Sequence, residues 1–404
     1  MAIKRVIIHL GMPKAGSTFI QSTLYNNAAE LEKNGFMYLT EWGRSHINKF
    51  HNLFYTRETG HSDTFISSFL KNKQNEKSIN ALLKVISNSD HETLILSGEF
   101  FRTLYLSSTT EKIGAFIKKV FYDNNIDVTI IYYIRNPLNW INSWSAQIFF
   151  SSGYLSRNAD FYETAIKQYN GIFNLQAHFS DCLKIIKFED ACQDKDGLAA
   201  NFLKAIGFPE SAIKNIDMSG SNRNESRSME VIEFVHFVEA MEARSSLGNY
   251  KRYIPSRFYR ELKPLRYIKG VKFDLPFQSK TELWARLQET VTHLKENSGI
   301  DYTAYKIPTE SSSAQQCYSA ETTQEFIEAF PKLNLIIQKY FLSFFEKKYM
   351  ETAQEKFKLL YFPGSIPYTI YKQKCSFWGI LSAKKNNAVR LTKKIIKAKI
   401  KKLR

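Results

Sequence analysis

A short segment near the start of the chain combines glycine, lysine and hydroxyl side chains at a spacing suited to binding an anion. Its sequence is Gly11-Met12-Pro13-Lys14-Ala15-Gly16-Ser17-Thr18. A glycine lets the backbone approach a phosphate closely, and the amide groups at the start of a helix point toward such a group. Lys14 adds a full positive charge. We therefore predict a phosphate site formed by Lys14, Ala15, Gly16, Ser17 and Thr18.

The elements on either side of this segment place it at a helix N-terminus. Residues 5–10 are apolar and rich in β-branched side chains, which predicts a buried strand. Residues 17–33 carry apolar side chains at helical spacing. A strand, a glycine loop and a helix form the opening of a βα unit, and such a helix presents its free amides to an anion.

The two glycines also have the separation of a Walker A loop, the phosphate loop of many kinases and NTPases. That loop places its lysine directly after the second glycine. Here Ser17 occupies that position, and Lys14 precedes Gly16 by two residues. The only aspartate of the clearest later strand, Asp127, begins the strand and does not end it. A P-loop kinase or NTPase is therefore the weaker interpretation, and it stays open as an alternative.

The rest of the first half alternates strands with helices. Strands are predicted at 93–97, 127–134 and 183–188, and helices at 80–86, 112–121, 138–149 and 198–206. This alternation predicts an α/β fold, a parallel β-sheet flanked by helices. Strand signals fade beyond residue 207, and the remaining predicted helices indicate a mainly helical C-terminal half. These helices are at 228–244, 283–297 and 321–345.

A second anion-binding pattern follows the strand at 127–134. Arg135 comes directly after it, and Ser143 lies eight residues further, on the predicted helix. Arginine can bind a phosphate with two parallel hydrogen bonds. Together with residues 13–18, this pattern resembles the PAPS-dependent sulfotransferases, in particular the bacterial carbohydrate sulfotransferases. PAPS is 3′-phosphoadenosine 5′-phosphosulfate. The resemblance implies that the first loop binds the 5′-phosphosulfate and that Arg135 and Ser143 bind the 3′-phosphate.

The same resemblance implies further roles. Arg223, in a polar loop, is the candidate for closing over the 3′-phosphate or adenine. Lys14 would stabilise charge on the leaving group. Family members use a glutamate or a histidine as general base, so that assignment stays open. Glu99 is our first choice because it follows a predicted strand, at the sheet edge where α/β sites form, and His51 is the second. The chemistry implies no metal, and the sequence shows no metal-ligand spacing.

The sequence predicts a sulfotransferase domain over residues 1–350 and a basic tail over 351–404. We divide the domain into an α/β nucleotide-binding core at 1–210 and a helical acceptor or lid region at 211–350. The chain has a net charge of +17, but its 49 last residues hold 14 lysines and arginines and no acidic residue. Since the excess charge lies in the tail, we expect no nucleic-acid partner.

The predicted reaction transfers a sulfuryl group from PAPS to a hydroxyl of a carbohydrate, in a cell-surface polysaccharide or glycolipid precursor. Residues 250–272 interleave aromatic and basic side chains, which favours an anionic or lipid-linked acceptor. The tail alternates bases with apolar residues, as helices lying on anionic membranes do. We expect a cytoplasmic protein, with peripheral contact to the inner face of the membrane as a further hypothesis. A non-catalytic module that binds anionic glycans remains the alternative from another class.

Overall fold

The computed structural model describes residues 3–46, 73–99, 107–152, 160–219, 227–245, 261–308, 318–361 and 365–376. The chain forms two compact units, each assembled from separate stretches of sequence. The first unit contains Met1–Ser145, Arg157–Glu225 and Leu275–Thr309. The second contains Ala146–Ser156, Ser226–Asp274 and Glu310–Arg404. The functional division at residues 210 and 350 stays a prediction.

A parallel sheet of five strands, in the order β2-β3-β1-β4-β5, forms the centre of the first unit. The strands are β1 Arg5–Leu10, β2 Phe36–Tyr38, β3 Thr93–Gly98, β4 Asp127–Ile134 and β5 Leu183–Lys187. Strands β1, β3 and β4 are almost entirely buried, because helices cover both faces of such a sheet. After β1 the chain first builds one side of the sheet and then the other. Ligands of α/β proteins bind where the order reverses in this way.

Helices make up most of the remaining described residues. In chain order they are α1 Ser17–Asn26, α2 Ala28–Lys33, α3 Lys73–Ser87, α4 Ser107–Val120, α5 Pro137–Ser152, α6 Asp160–Tyr169, α7 Gly171–Phe179, α8 Phe188–Cys192, α9 Gly197–Ala205, α10 Glu210–Ile213, α11 Met229–Ser245, α12 Phe277–Arg286, α13 Gln288–Ser298, α14 Ala320–Ala329, α15 Leu335–Thr352 and α16 Glu355–Tyr361. Residues 366–376 are also helical. The parallel sheet and its helices confirm the predicted fold class.

Three predicted helices are divided in the structure. The helix predicted at 17–33 breaks at Asn27, whose side chain exchanges hydrogen bonds with the backbone of Asp217, at 2.9 and 2.8 Å. The helix predicted at 283–297 begins earlier, at Phe277, and divides at Leu287. The one predicted at 321–345 is interrupted by the turn Phe330–Lys332. Its second part restarts at Asn334, whose side chain accepts a hydrogen bond from the Ile337 amide at 2.9 Å.

The second unit has its own core, made largely of phenylalanines. Phe234 of α11, Phe326 of α14 and Phe341 and Phe345 of α15 are completely buried. Their rings contact one another with centroids 4.7–6.5 Å apart, the range of favourable aromatic pairs. No described helix combines the length and the hydrophobicity needed to cross a membrane.

Candidate active site at the carboxyl edge of the sheet

The predicted phosphate loop connects β1 to α1 and has an unusual backbone. Lys14 and Gly16 both have positive φ, 65° and 77°. Glycine adopts this conformation freely, but a lysine pays for it in strain. Gly16 is also the N-cap residue of α1, so the first amides of the helix follow it directly. The loop therefore presents the first amides of α1, which suits an anion such as a phosphate.

Two side chains from the segment after β4 hold carbonyl groups of this loop. Arg135, directly after β4, donates from Nη1 to the carbonyl oxygen of Lys14 at 2.9 Å. Trp140 of α5 donates from Nε1 to the carbonyl oxygen of Pro13 at 2.8 Å. Burial lowers the pKa of Arg135, and the nearby charge of Glu189 opposes that shift. These bonds help to hold the strained conformation of Lys14.

Glu99 contacts the loop from the other side. It follows β3, and its Oε1 accepts a hydrogen bond of 2.5 Å from the Ser17 hydroxyl. The two groups meet because Gly11 has no side chain. A Cβ at Gly11 would lie 2.7 Å from Ser17 Cβ and 3.2 Å from Glu99 Cγ. The structure therefore brings a carboxylate next to the hydroxyl of the first residue of α1.

The strand that carries Glu99 is fixed by two buried histidines. His9 Nδ1 lies 2.8 Å from the Ser97 hydroxyl, and the Ser97 amide donates to His46 Nδ1 at 3.2 Å. Desolvation by burial lowers the pKa of His9 to about 3 and that of His46 to about 4. Both rings are therefore neutral at pH 7. They position the last residues of β3, two residues before Glu99.

A second carboxylate, that of Glu189, holds the turn after β4. Glu189 Oε1 accepts the Asn136 amide at 2.9 Å, and Oε2 accepts the Tyr302 hydroxyl at 2.9 Å. The Arg135 guanidinium carbon lies 5.6 Å from the centre of the Phe188 ring, within the range of a cation–π contact. Ser143, further along α5, is buried with 8% of its surface exposed.

The structure thus places most predicted site residues at one edge of the first unit. Lys14, Ala15, Gly16, Ser17 and Thr18 form the loop, Glu99 contacts it through Ser17, and Arg135 contacts it through Lys14. Ser143 lies on the helix that follows Arg135. His51 and Arg223 lie outside the described residues. In the part of the chain that the structure describes, no group of histidine, cysteine or acidic side chains could hold a metal ion.

Sequence reasoning missed Glu189, Tyr302 and Tyr169, which hold the Arg135 turn, and Trp140, which holds the first loop. One signal was available for Glu189, since it is the second residue after the end of β5. Residues directly after parallel strands meet at the same edge of the sheet. For Tyr302, in a segment without regular secondary structure, no local pattern pointed to the site.

No protein-family profile matches the sequence, and no curated protein matches it. Several solved structures are similar. A sulfotransferase from Alicyclobacillus acidocaldarius is 15% identical, with 61% of this chain and 98% of that chain covered and a TM-score of 0.32. The sulfotransferase domain from the curacin biosynthetic pathway is 12% identical, covering 71% and 98% with a TM-score of 0.34. Retinol dehydratase in complex with androsterone and the inactive cofactor PAP is 14% identical, covering 75% and 84% with a TM-score of 0.31.

Proposed function

We propose that the protein is a sulfotransferase that transfers a sulfuryl group from PAPS to a hydroxyl group. The proposal rests on one observation: a hydrogen bond from the Arg135 side chain to the carbonyl oxygen of Lys14 connects the two proposed anion-binding elements. A nucleotide with phosphates at the 5′ and 3′ positions of its ribose needs two such elements at one sheet edge. Lys14 and the amides of the loop are suited to the 5′-phosphosulfate, and Arg135 and Ser143 to the 3′-phosphate.

The residues present fit the donor and account for each change of charge. The acceptor oxygen forms a bond to sulfur while the bond from sulfur to the 5′-phosphate oxygen breaks, which leaves PAP. Lys14 stabilises the negative charge that grows on that oxygen. Glu99 takes the proton of the acceptor hydroxyl, and its contact with Ser17 places it beside the loop that would hold the sulfuryl group. His51 is the second candidate for this role.

We further propose that the acceptor is a carbohydrate with an acidic group, recognised by the helical region 211–350. A cluster in the second unit supports this proposal. The Arg227 guanidinium lies 5.3 Å from the Phe150 ring centre and 5.9 Å from that of Tyr267, and Arg266 lies 5.4 Å from the same tyrosine. Tyr267 is 58% exposed, so a sugar could stack on it with its acidic group near the arginines.

The electrostatics of this cluster favour an anion. Burial and the charge of Arg266 lower the pKa of Arg227 to about 10, so the two cations repel each other. An acidic sugar unit would relieve that repulsion. We expect Arg266→Ala to raise the KM for a uronic-acid oligosaccharide about tenfold and to leave the KM for a neutral oligosaccharide unchanged. An equal change for both acceptors would contradict an acidic acceptor.

The basic tail belongs to the same proposal. Residues 377–404 lie outside the described part of the chain, and their alternation of bases with apolar residues favours binding to an anionic membrane surface. This would suit a cytoplasmic enzyme acting on a lipid-linked polysaccharide or glycolipid precursor. A variant ending at Ser376 should keep its turnover on soluble acceptors and lose binding to vesicles that contain anionic lipid. Absence of turnover in the full chain, together with loss of binding to anionic glycans in the shortened variant, would instead favour a binding module.

The donor is tested by calorimetric titration with PAP. We expect micromolar binding that Lys14→Ala and Arg135→Ala each weaken more than about tenfold, which is about 1.4 kcal/mol. Lys33→Ala, at an exposed position paired with Glu30, is the matched control and should bind as the unaltered protein does. Binding of ATP without binding of PAP would overturn the proposal in favour of a P-loop kinase.

A further inference from the structure

Three tyrosine hydroxyls converge on the turn that carries Arg135. The Tyr302 hydroxyl, whose one proton is shared with Glu189, lies 3.2 Å from the carbonyl oxygen of Ile134, and Tyr169 donates to that of Arg135 itself at 2.5 Å. Tyr305 donates to the Asn139 side chain at 3.0 Å. Tyr169 is completely buried and Tyr302 is 5% exposed. The turn is therefore fixed by bonds to its backbone on both sides of the Arg135 side chain.

Glu189 links these contacts into one network. Its two oxygens accept the Asn136 amide and the Tyr302 hydroxyl, each at 2.9 Å. The Asn136 side chain, 1% exposed, accepts in turn from the Asn139 amide at 3.0 Å and so caps α5. Buried polar groups that hydrogen-bond to one another in this way favour a single geometry. Loss of one partner would leave a buried carboxylate oxygen or amide unsatisfied.

Two of the tyrosines belong to one short segment, residues 300–308, which we call the strap. The strap has no regular secondary structure, and side-chain contacts at several points hold it in place. Lys295 forms an ion pair of 2.8 Å with Asp301, and the Trp284 ring packs on Tyr305 with centroids 5.2 Å apart. The Lys187 ammonium lies 5.3 Å from the centre of the Tyr302 ring.

We propose that Tyr302 and Glu189 are positioning residues that aim Arg135 at the 3′-phosphate of the donor and so set the selectivity for a 3′-phosphorylated nucleotide. This inference rests on the proposed function. One nitrogen of Arg135 already donates to the Lys14 carbonyl oxygen. The remaining N–H groups can bind the phosphate only if the backbone of Arg135 is held in a fixed position. A guanidinium binds phosphate with both hydrogen bonds only in a narrow range of orientations. The strap, far from Arg135 in sequence, supplies that rigidity.

The test compares two nucleotides that differ only in the 3′-phosphate, PAP and 5′-AMP. We expect Tyr302→Phe to weaken PAP binding about tenfold in calorimetric titrations and to leave 5′-AMP binding unchanged. Glu189→Gln should have the same effect. With PAPS as donor, both variants should show a raised KM for PAPS and a kcat close to that of the unaltered enzyme. Tyr122→Phe, at a 50% exposed position of the same unit, is the matched control.

Each outcome separates this inference from the proposed function. If the unaltered protein does not prefer PAP to 5′-AMP, the proposed function itself fails. If it prefers PAP and both variants keep that preference, the positioning role is overturned. If both variants bind PAP and 5′-AMP more weakly by the same factor, the network is only structural and the inference is again overturned. Melting temperatures of the variants identify unfolding, and Glu189→Gln retains the test if Tyr302→Phe does not fold.

Discussion

Arg135 and Lys14 are 121 residues apart in the chain, and the guanidinium of one donates to the carbonyl oxygen of the other at 2.9 Å. The carbonyl belongs to a lysine in the left-handed conformation, which a side chain with a Cβ adopts at a cost. One hydrogen bond thus holds the shape of the predicted phosphate loop and ties it to the second predicted anion-binding element. Trp140 holds the neighbouring carbonyl of Pro13.

These two bonds should act together. Arg135→Lys keeps the charge but loses the forked donor, and Trp140→Phe loses the indole N–H together with part of a completely buried ring. We expect the lost hydrogen bond to lower the free energy of unfolding by about 0.5–1.5 kcal/mol in each variant, and the buried volume lost at Trp140 to add to the second value. The double variant should lose measurably less or more than the sum, because both partners lie on adjacent residues of one loop. Urea unfolding of the four proteins measures the coupling, and strict additivity would show that the two carbonyls are held independently.

The close packing around Gly16 predicts a large effect of a single methyl group. A Cβ at Gly16 would lie 2.2 Å from Leu198 Cδ2 and 3.1 Å from Phe188 Cε2. Gly35 has a similar φ, 81° against 77°, but no atom within 4 Å of its Cβ position. Gly16→Ala should therefore cost about 1–3 kcal/mol more than Gly35→Ala, because only the first variant adds overpacking to the backbone strain. Equal melting temperatures would show that Leu198 simply moves aside.

The contact between Ser17 and Glu99 predicts a kinetic effect. Gln at position 99 can still accept the Ser17 hydrogen bond, but it cannot take a proton. We expect Glu99→Gln to lower kcat about 10²- to 10⁴-fold and to leave PAP binding nearly unchanged. The control is Glu92→Gln. Glu92 is exposed, immediately precedes the same strand and forms an ion pair with Lys4, so this variant should keep full turnover. Full turnover of Glu99→Gln would remove Glu99 from the reaction and leave His51 as the candidate.

The buried histidines predict acid sensitivity. Their pKa values in the folded protein, about 3 for His9 and about 4 for His46, are below the usual value of about 6.5 for histidine in an unfolded chain. The unfolded chain therefore binds more protons as the pH falls. The stability that the two neutral histidines contribute is fully present above pH 6.5. It is lost as the pH falls from there toward 4, by at most about 1.4 kcal/mol per pH unit for each histidine.

Unfolding by urea between pH 7.5 and 5 measures this loss. His46→Gln removes one titrating group and should flatten the dependence, although it lowers stability at pH 7. His178→Gln, at an exposed position on α7, is the control and should leave the slope as it is. An unchanged slope in the His46 variant would mean that another group causes the acid sensitivity.

The sequence predicted those parts of the site whose signal is local. The loop Gly11–Thr18, Arg135 and Glu99 each follow a strand directly, so apolar runs and glycines were enough to find them. The strands β1, β3 and β4 were recognised because buried strands are continuous apolar runs, and the partly buried β5 was recognised from Leu183, Ile185 and Ile186. Among the described strands, β2 was missed, since its three residues are too few to show a period.

Contacts between distant side chains could not be read from the sequence. Glu189 and Tyr302 are 113 residues apart, and no periodicity relates a carboxylate after one strand to a hydroxyl in a segment without regular structure. The break in the first helix had the same cause, whereas the turn Phe330–Lys332 contains Pro331, a local helix breaker. Asn27 breaks a helical pattern because its side chain pairs with the backbone at Asp217, 190 residues away. Such pairings are properties of the folded chain and not of a local window.

The position of the strap gives the molecule an order of assembly. Tyr302 leaves the ribosome 167 residues after Arg135, which at typical synthesis rates is about 10–30 s later. During that time the sheet can form, but the turn that carries Arg135 lacks the hydroxyls of Tyr302 and Tyr305. On the proposed function, a nascent chain would therefore form the loop of residues 11–18 before it can discriminate between nucleotides.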